Sequence, residues 1–172
     1  MADVRGEIYE AYKIPIYNYF YKAILNVHTA EDLTEDTFLK AFKYFASFKG
    51  ESMVKTWLFK IARNTLIDYF KSPYKFTADI TEFDIAVPQD MISAANERII
   101  IKQVMYGLDE EERSFIILRD VNGLSYAEIA QIMNCTEGKV KIGIHRSRKK
   151  FKELYEFQCK EGVKNEIGLR GR

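Results

Sequence analysis

Apolar residues recur at helical spacing along most of the chain, and no stretch alternates with the period of a strand. From Glu7 to Val27 one face carries Ile8, Tyr12, Ile16, Tyr19 and Ala23, the pattern of an aromatic core helix, which Pro15 is expected to kink or restart. Thr29 followed by Asp32 predicts a capped start for the next helix, with Glu31 and Asp32 at the positive end of its dipole. Leu33, Thr37, Ala41, Tyr44 and Phe45 form its inward stripe. Phe38, Leu39 and Phe42 carry the apolar surface further round than one core requires. The period breaks from Phe48 to Lys55, around Gly50 and Ser52, and resumes as a strong helix from Thr56 to Lys71 that ends at Ser72-Pro73.

Beyond Pro73 the helical period is lost until about Asp90, and the segment is acidic, as a linker would be. Ile92 to Gly107 predicts a further helix, and Asp109 caps the one after it, with Glu110, Glu111 and Glu112 in the first turn. Asn122-Gly123 marks a turn. The expectation is an all-α fold of two small helical domains, 1–72 and 92–172, joined by an acidic linker over 73–91.

The second domain carries the most specific local pattern. Ser125 with Glu128 three residues on is a capping box opening a short helix to Met133. Asn134 tolerates the left-handed conformation that ends a helix, and Thr136 caps the next one. In that helix Val140, Ile144, Ser147, Phe151 and Leu154 share one face, and Lys141, Ile142, His145, Arg146 and Lys149 lie opposite. Ala130 is small where two crossing helices must approach closely. Helix, tight turn and basic helix form the helix-turn-helix pattern, whose second helix enters the DNA major groove.

Charge sharpens this picture. The chain has 172 residues, 47% hydrophobic and 30% charged, with a formal net charge of +1. Affinity for nucleic acid must therefore come from local patches. From Lys139 to Lys152 every charged residue is a cation, whereas from Pro73 to Glu97 the only cation is Lys75. Cys135 and Cys159 are far apart and belong to no Cys/His cluster, so reduced thiols and no metal site are expected. No run is apolar and long enough to span a membrane, and the first residues lack the apolar core of a signal peptide.

A second cationic feature lies in the first domain. Lys60, Arg63, Asn64, Ile67 and Lys71 form a stripe on the Thr56–Lys71 helix, next to a loop bearing Phe48. Cations, an amide and aromatic rings together suit single-stranded nucleic acid, through phosphate neutralisation, base-edge hydrogen bonds and stacking. An ordinary amphipathic helix shows the same stripe.

The stretches Ala30–Leu39, Phe48-Lys-Gly-Glu-Ser52 and Trp57–Asn64 with Asp68 resemble region 2 of bacterial sigma factors. Leu108–Arg113, Gly123–Ala130, Gly138–Lys141 and His145–Arg148 resemble region 4. Nothing between them resembles region 3. The arrangement is that of the extracytoplasmic-function (ECF, group 4) sigma factors, and the resemblance covers nearly the whole chain. It implies an alternative sigma factor that binds core RNA polymerase and directs promoter-specific initiation, with no catalysis, cofactor or small-molecule substrate.

The resemblance also assigns roles. Asp32, Leu33, Glu35, Asp36, Phe38 and Leu39 would grip the coiled coil of the polymerase β′ subunit. Phe48, Lys55, Trp57, Lys60, Arg63, Asn64 and Lys71 would read and melt the −10 element, with Phe48 and Asn64 on a base flipped from the non-template strand. The acidic linker would thread the active-site cleft and RNA exit channel. Region 4, which meets the β flap, would read the −35 duplex: Lys141, Ile142, His145 and Arg146 at base edges and nearby phosphates, and Lys139, Arg148 and Lys149 on phosphates, with Thr136 and Gly138 at the helix start. The resemblance further implies a cytoplasmic protein held inactive by an anti-sigma factor, often a membrane-bound one.

Two departures stand out. Relatives usually carry Gly-Thr-Val-Lys-Ser-Arg where this chain has Gly138-Lys-Val-Lys-Ile-Gly143, and Glu35 stands where Gln is common. Gly143 costs a helix about 1 kcal/mol relative to Ala. A free-standing helix-turn-helix regulator of the LuxR-like kind would explain the second domain but leave Trp57–Asp68 without a purpose. An enzyme would need a nucleophile, base and acid together, and His28 and His145 are isolated.

Overall fold

The computed structural model describes residues 4–48, 53–72 and 92–169, and all regular structure among them is helical. The expected linker over 73–91 and the tip of the loop after Phe48 lie outside the described residues.

The first domain packs three helices: α1 (Val4–Ile24), α2 (Val27–Tyr44), which ends in a 3₁₀ turn at Phe45–Ser47, and α3 (Val54–Lys71). Ile16, Tyr19, Phe20 and Ile24 of α1 meet Ala30, Phe38 and Ala41 of α2 and Leu58, Phe59, Ala62 and Leu66 of α3 in the core. Helix α1 runs through Pro15 without the restart expected. The Pro15 carbonyl accepts a hydrogen bond from Asn122 Nδ2 of the second domain, at 2.9 Å.

The α2 cap differs from expectation. Asn26, not Thr29, is the N-cap, its Oδ1 accepting from Thr29 N–H at 2.9 Å. Leu25 makes the turn in the left-handed region at φ 56°. The buried α2 face is Ala30, Leu33, Thr34, Thr37, Phe38 and Ala41, and Tyr44, expected inside, is exposed. The buried hydroxyls of Thr34 and Thr37 donate to the Ala30 and Leu33 carbonyls at 2.6 and 2.8 Å, so neither is stranded. Helix α3 begins at Val54, so Lys55 is helical rather than part of the loop.

The second domain contains α4 (Ile92–Gly107), α5 (Glu110–Ile116) continued by a π turn at Ile117–Val121, α6 (Tyr126–Met133) and the long α7 (Glu137–Leu169). Its termini follow the expected chemistry. Asp109 and Ser125 each close a capping box with a glutamate three residues on. Asn134 ends α6 at φ 52°, ψ 52°, and Thr136 Oγ1 accepts from Lys139 N–H at 3.2 Å. Helix α7 is the scaffold against which α4, α5 and α6 pack. Among the described residues no helix is long and apolar enough to cross a membrane.

One buried cation organises the α4–α5 corner. Arg113 donates from Nε to the Met105 carbonyl at 2.8 Å and from a terminal nitrogen to the Leu108 carbonyl at 2.7 Å. It thereby satisfies carbonyls at the end of α4 that the helix leaves open. Its guanidinium lies 3.8 Å from the ring centroid of Phe70 in α3, joining the two domains. Burial pulls its pKa below the usual arginine value.

Candidate nucleic-acid interface

The helix-turn-helix formed by α6 and α7 sets the first surface. Val140, Ile144 and Ser147 are buried, which turns Lys141, Ile142, His145, Arg146 and Lys149 to solvent, the face the sequence predicts. Gly138 and Thr136 are exposed at the start of this face. The flanking cations are already engaged. Lys139 Nζ meets Glu111 Oε1 at 2.5 Å, Arg148 Nε meets Asp120 Oδ2 at 3.0 Å, and Lys150 Nζ meets Glu112 Oε2 at 2.7 Å. Each carboxylate raises the pKa of its cation. Lys149 has a loose pair with Glu153 at 3.9 Å. The unbroken positive charge of the sequence is therefore laced with acids from α5 and the turn after it. These long-range pairs have no sequence signal, because no spacing rule joins residues 28 or 38 positions apart.

The second surface is on α3. Lys60, Asn64 and Lys71 are exposed in line at i, i+4 and i+11. Phe48 packs on Trp57 with ring centroids 4.8 Å apart, and Phe45, which the sequence reading placed only in the α2 stripe, stacks on Phe48 at 6.3 Å. The rings of Phe45, Phe48 and Trp57 form one half-buried aromatic cluster beside the N-terminal turn of α3. Arg63, from the stripe, and Lys55, from the −10 set the resemblance assigns, are both paired with carboxylates. Arg63 binds Glu110 Oε1 at 2.8 Å and Lys55 binds Glu128 Oε1 at 3.0 Å.

The third surface is the outer face of α2. Asp32, Glu35, Asp36 and Leu39 are exposed, Leu39 at 68%. Leu33 and Phe38, which the resemblance assigns to the same docking set, are 4% and 2% exposed and belong to the core, Leu33 on the inward stripe that its spacing predicts. Phe38 is held edge-on by Tyr9 with centroids 4.9 Å apart. Of the apolar excess on this helix, Phe38 is packed against α1, which the α2 sequence by itself does not reveal, while Leu39 stays outside.

Residues 8–74 match sigma-70 region 2, and residues 98–151 match sigma-70 region 4. The RNA polymerase sigma factor YlaC of Bacillus subtilis is 33% identical over 158 residues, spanning 88% of this chain and 91% of YlaC. The ECF RNA polymerase sigma factor SigM of the same organism is 31% identical over 153 residues, spanning 87% and 93%. The chain belongs to the ECF group of the sigma-70 family. The solved complex of the sigma factor RpoE with the anti-sigma factor NepR from Bartonella quintana shares the fold, with a TM-score of 0.63 at 24% identity over 88% of this chain and 96% of that one.

As an ECF sigma factor the chain acts in promoter-specific transcription initiation, and its region 2 and region 4 contact each other directly. The Arg63–Glu110 and Lys55–Glu128 pairs run from region 2 to region 4, as do Arg113 over Phe70 and the edge-on packing of Phe70 with Tyr106 at 5.4 Å. Glu128 is held below the usual carboxylate range, chiefly by the Ser125 backbone N–H, which donates to Oε2 at 2.7 Å, and further by Lys55.

Proposed function

We propose that this sigma factor divides its work among three surfaces. Asp32, Glu35, Asp36 and Leu39 dock on the β′ coiled coil of core polymerase. Leu33 and Phe38 act by shaping the helix from within. Lys60, Asn64, Lys71 and the Phe48–Trp57 cluster take the −10 non-template strand, with a base extruded at a cost of about a few kcal/mol. Lys141, Ile142, His145 and Arg146 enter the −35 major groove, while Thr136, Gly138, Lys139, Arg148 and Lys149 border the phosphates. Region 4 meets the β flap. Residues 1–72 and 92–172 are the working units.

The observation that carries this reading is the outward face of α7: its central polar residues are exposed on a capped helix-turn-helix while the cations at its edges are paired. Lys139 and Arg148 must exchange a carboxylate for a phosphate on DNA, so their net gain is smaller than that of Lys141 or Arg146. The solved RpoE–NepR complex supports an anti-sigma factor as a further partner, and the action is cytoplasmic, with a membrane-bound anti-sigma factor able to hold the chain at the membrane.

The test uses holoenzyme reconstituted with core polymerase. Asn64→Ala is expected to weaken discrimination at −10 only, and Arg146→Ala at −35 only. Equal loss at both elements from either substitution would contradict the division of labour.

A further inference from the structure

The rotational setting of α7 is unusually well defined. Val140, Ile144 and Ser147 are buried on one side. Gly143 lies so close to Phe115 that a β-carbon there would fall within 2.7 Å of ring carbons, so the helix cannot roll toward α5. Lys139 to Glu111 and Arg148 to Asp120 tether its two flanks. What remains outward is Gly138, Lys141, Ile142, His145, Arg146 and Lys149.

Ile142 is the one large apolar side chain in that set, and it is 54% exposed. It stands four residues after Gly138 and four before Arg146, in the middle of the face rather than at its edge. Gly138 places no side chain between Ile142 and the start of the helix, and its surroundings are open, with only Thr136 Oγ1 near, at 3.9 Å from where a β-carbon would lie. The polar neighbours Lys141, His145 and Arg146 supply charge and hydrogen bonds around an apolar centre.

Resting on the reading of α7 as the −35 helix, we infer that Ile142 selects thymine at one −35 position through its C5 methyl group. The floor of the major groove offers one apolar group, the thymine methyl. Opposite cytosine, adenine or guanine, an isoleucine would strip water from an amino group or ring acceptor and return no hydrogen bond. Apolar contact is thus a discriminating element at this position.

The test removes the methyl and nothing else. A −35 sequence selected from a random duplex library by the holoenzyme is remade with each thymine replaced in turn by deoxyuridine. One replacement should weaken binding by about fourfold, the worth of one buried methyl group. In holoenzyme with Ile142→Ala that sensitivity should vanish, and with Ile142→Val it should largely persist. Because Ile142 is exposed, neither substitution disturbs the core. A selected −35 motif with no methyl-sensitive thymine, or the same sensitivity in Ile142→Ala, overturns the inference and leaves the −35 reading standing. Selection of no −35 motif at all overturns both.

Discussion

The ring of Phe115 occupies the space that a side chain on residue 143 would need: three of its carbons lie within 2.7 Å of where a Gly143 β-carbon would be. Phe115 is almost fully buried. The glycine that weakens α7 by propensity is therefore what lets α5 and α7 close on each other. Gly143→Ala should gain about 1 kcal/mol in helix propensity and lose about 1–3 kcal/mol to overpacking. We expect net destabilisation in urea unfolding, relieved by Phe115→Leu in the same chain. A rise in stability for Gly143→Ala would show that the contact relaxes freely.

Arg113 answers the Met105 and Leu108 carbonyls and stacks on Phe70, so its removal strands buried acceptors. Arg113→Met should cost about 1–3 kcal/mol for each carbonyl left unsatisfied. Arg113→Lys should not restore it, because an ammonium cannot span both carbonyls and the ring with a planar fork. Chemical denaturation of the two variants checks both expectations.

Arg63 and Lys55 cannot hold Glu110 and Glu128 and also neutralise a −10 phosphate. On our proposal, use of these cations on DNA requires them to give up their carboxylates, which would loosen the contact between the regions. The double variant Glu110→Gln with Glu128→Gln keeps the hydrogen-bonding shape of the Ser125 capping box but removes both attractions. Each partly exposed pair is worth about 0.2–1 kcal/mol. Donor and acceptor dyes on regions 2 and 4 should report a longer mean separation in the double variant than in the wild-type chain. An unchanged separation would mean that Phe70, Tyr106 and Arg113 hold the contact unaided.

Glu128 links this contact to pH. Its folded pKa is depressed, first by the Ser125 backbone N–H and then by Lys55. The sign follows: its contribution is present above the unfolded carboxylate value of about 4.3 and is lost as pH falls through the lower folded value. Urea unfolding at neutral pH and in the acid range should differ less in Glu128→Gln than in the wild-type chain.

The helix-turn-helix was legible in the sequence because its signals are local. Ser125 and Glu128, Asn134, Thr136 and Val140 each act within a few residues, and each takes the role its chemistry predicts. One local signal was misassigned: Thr29 offered a cap, but Asn26 three residues earlier took the role, with Leu25 supplying the left-handed turn. The other signals failed where the deciding partner was distant. Phe38 looked available until α1 brought Tyr9 against it. Arg63 belonged to a surface stripe until region 4 supplied Glu110. Gly143 was a bare departure until Phe115 explained it.

On our proposal, this chain carries promoter recognition to polymerase through two separate DNA-reading surfaces. The most direct measurement mixes the purified chain with core RNA polymerase and a library of random promoter sequences, then sequences the run-off transcripts. Specific initiation is expected, with one motif near −10 that Asn64→Ala blurs and another near −35 that Arg146→Ala blurs. Failure to bind polymerase, with sequence-specific duplex binding by the chain alone, would contradict it.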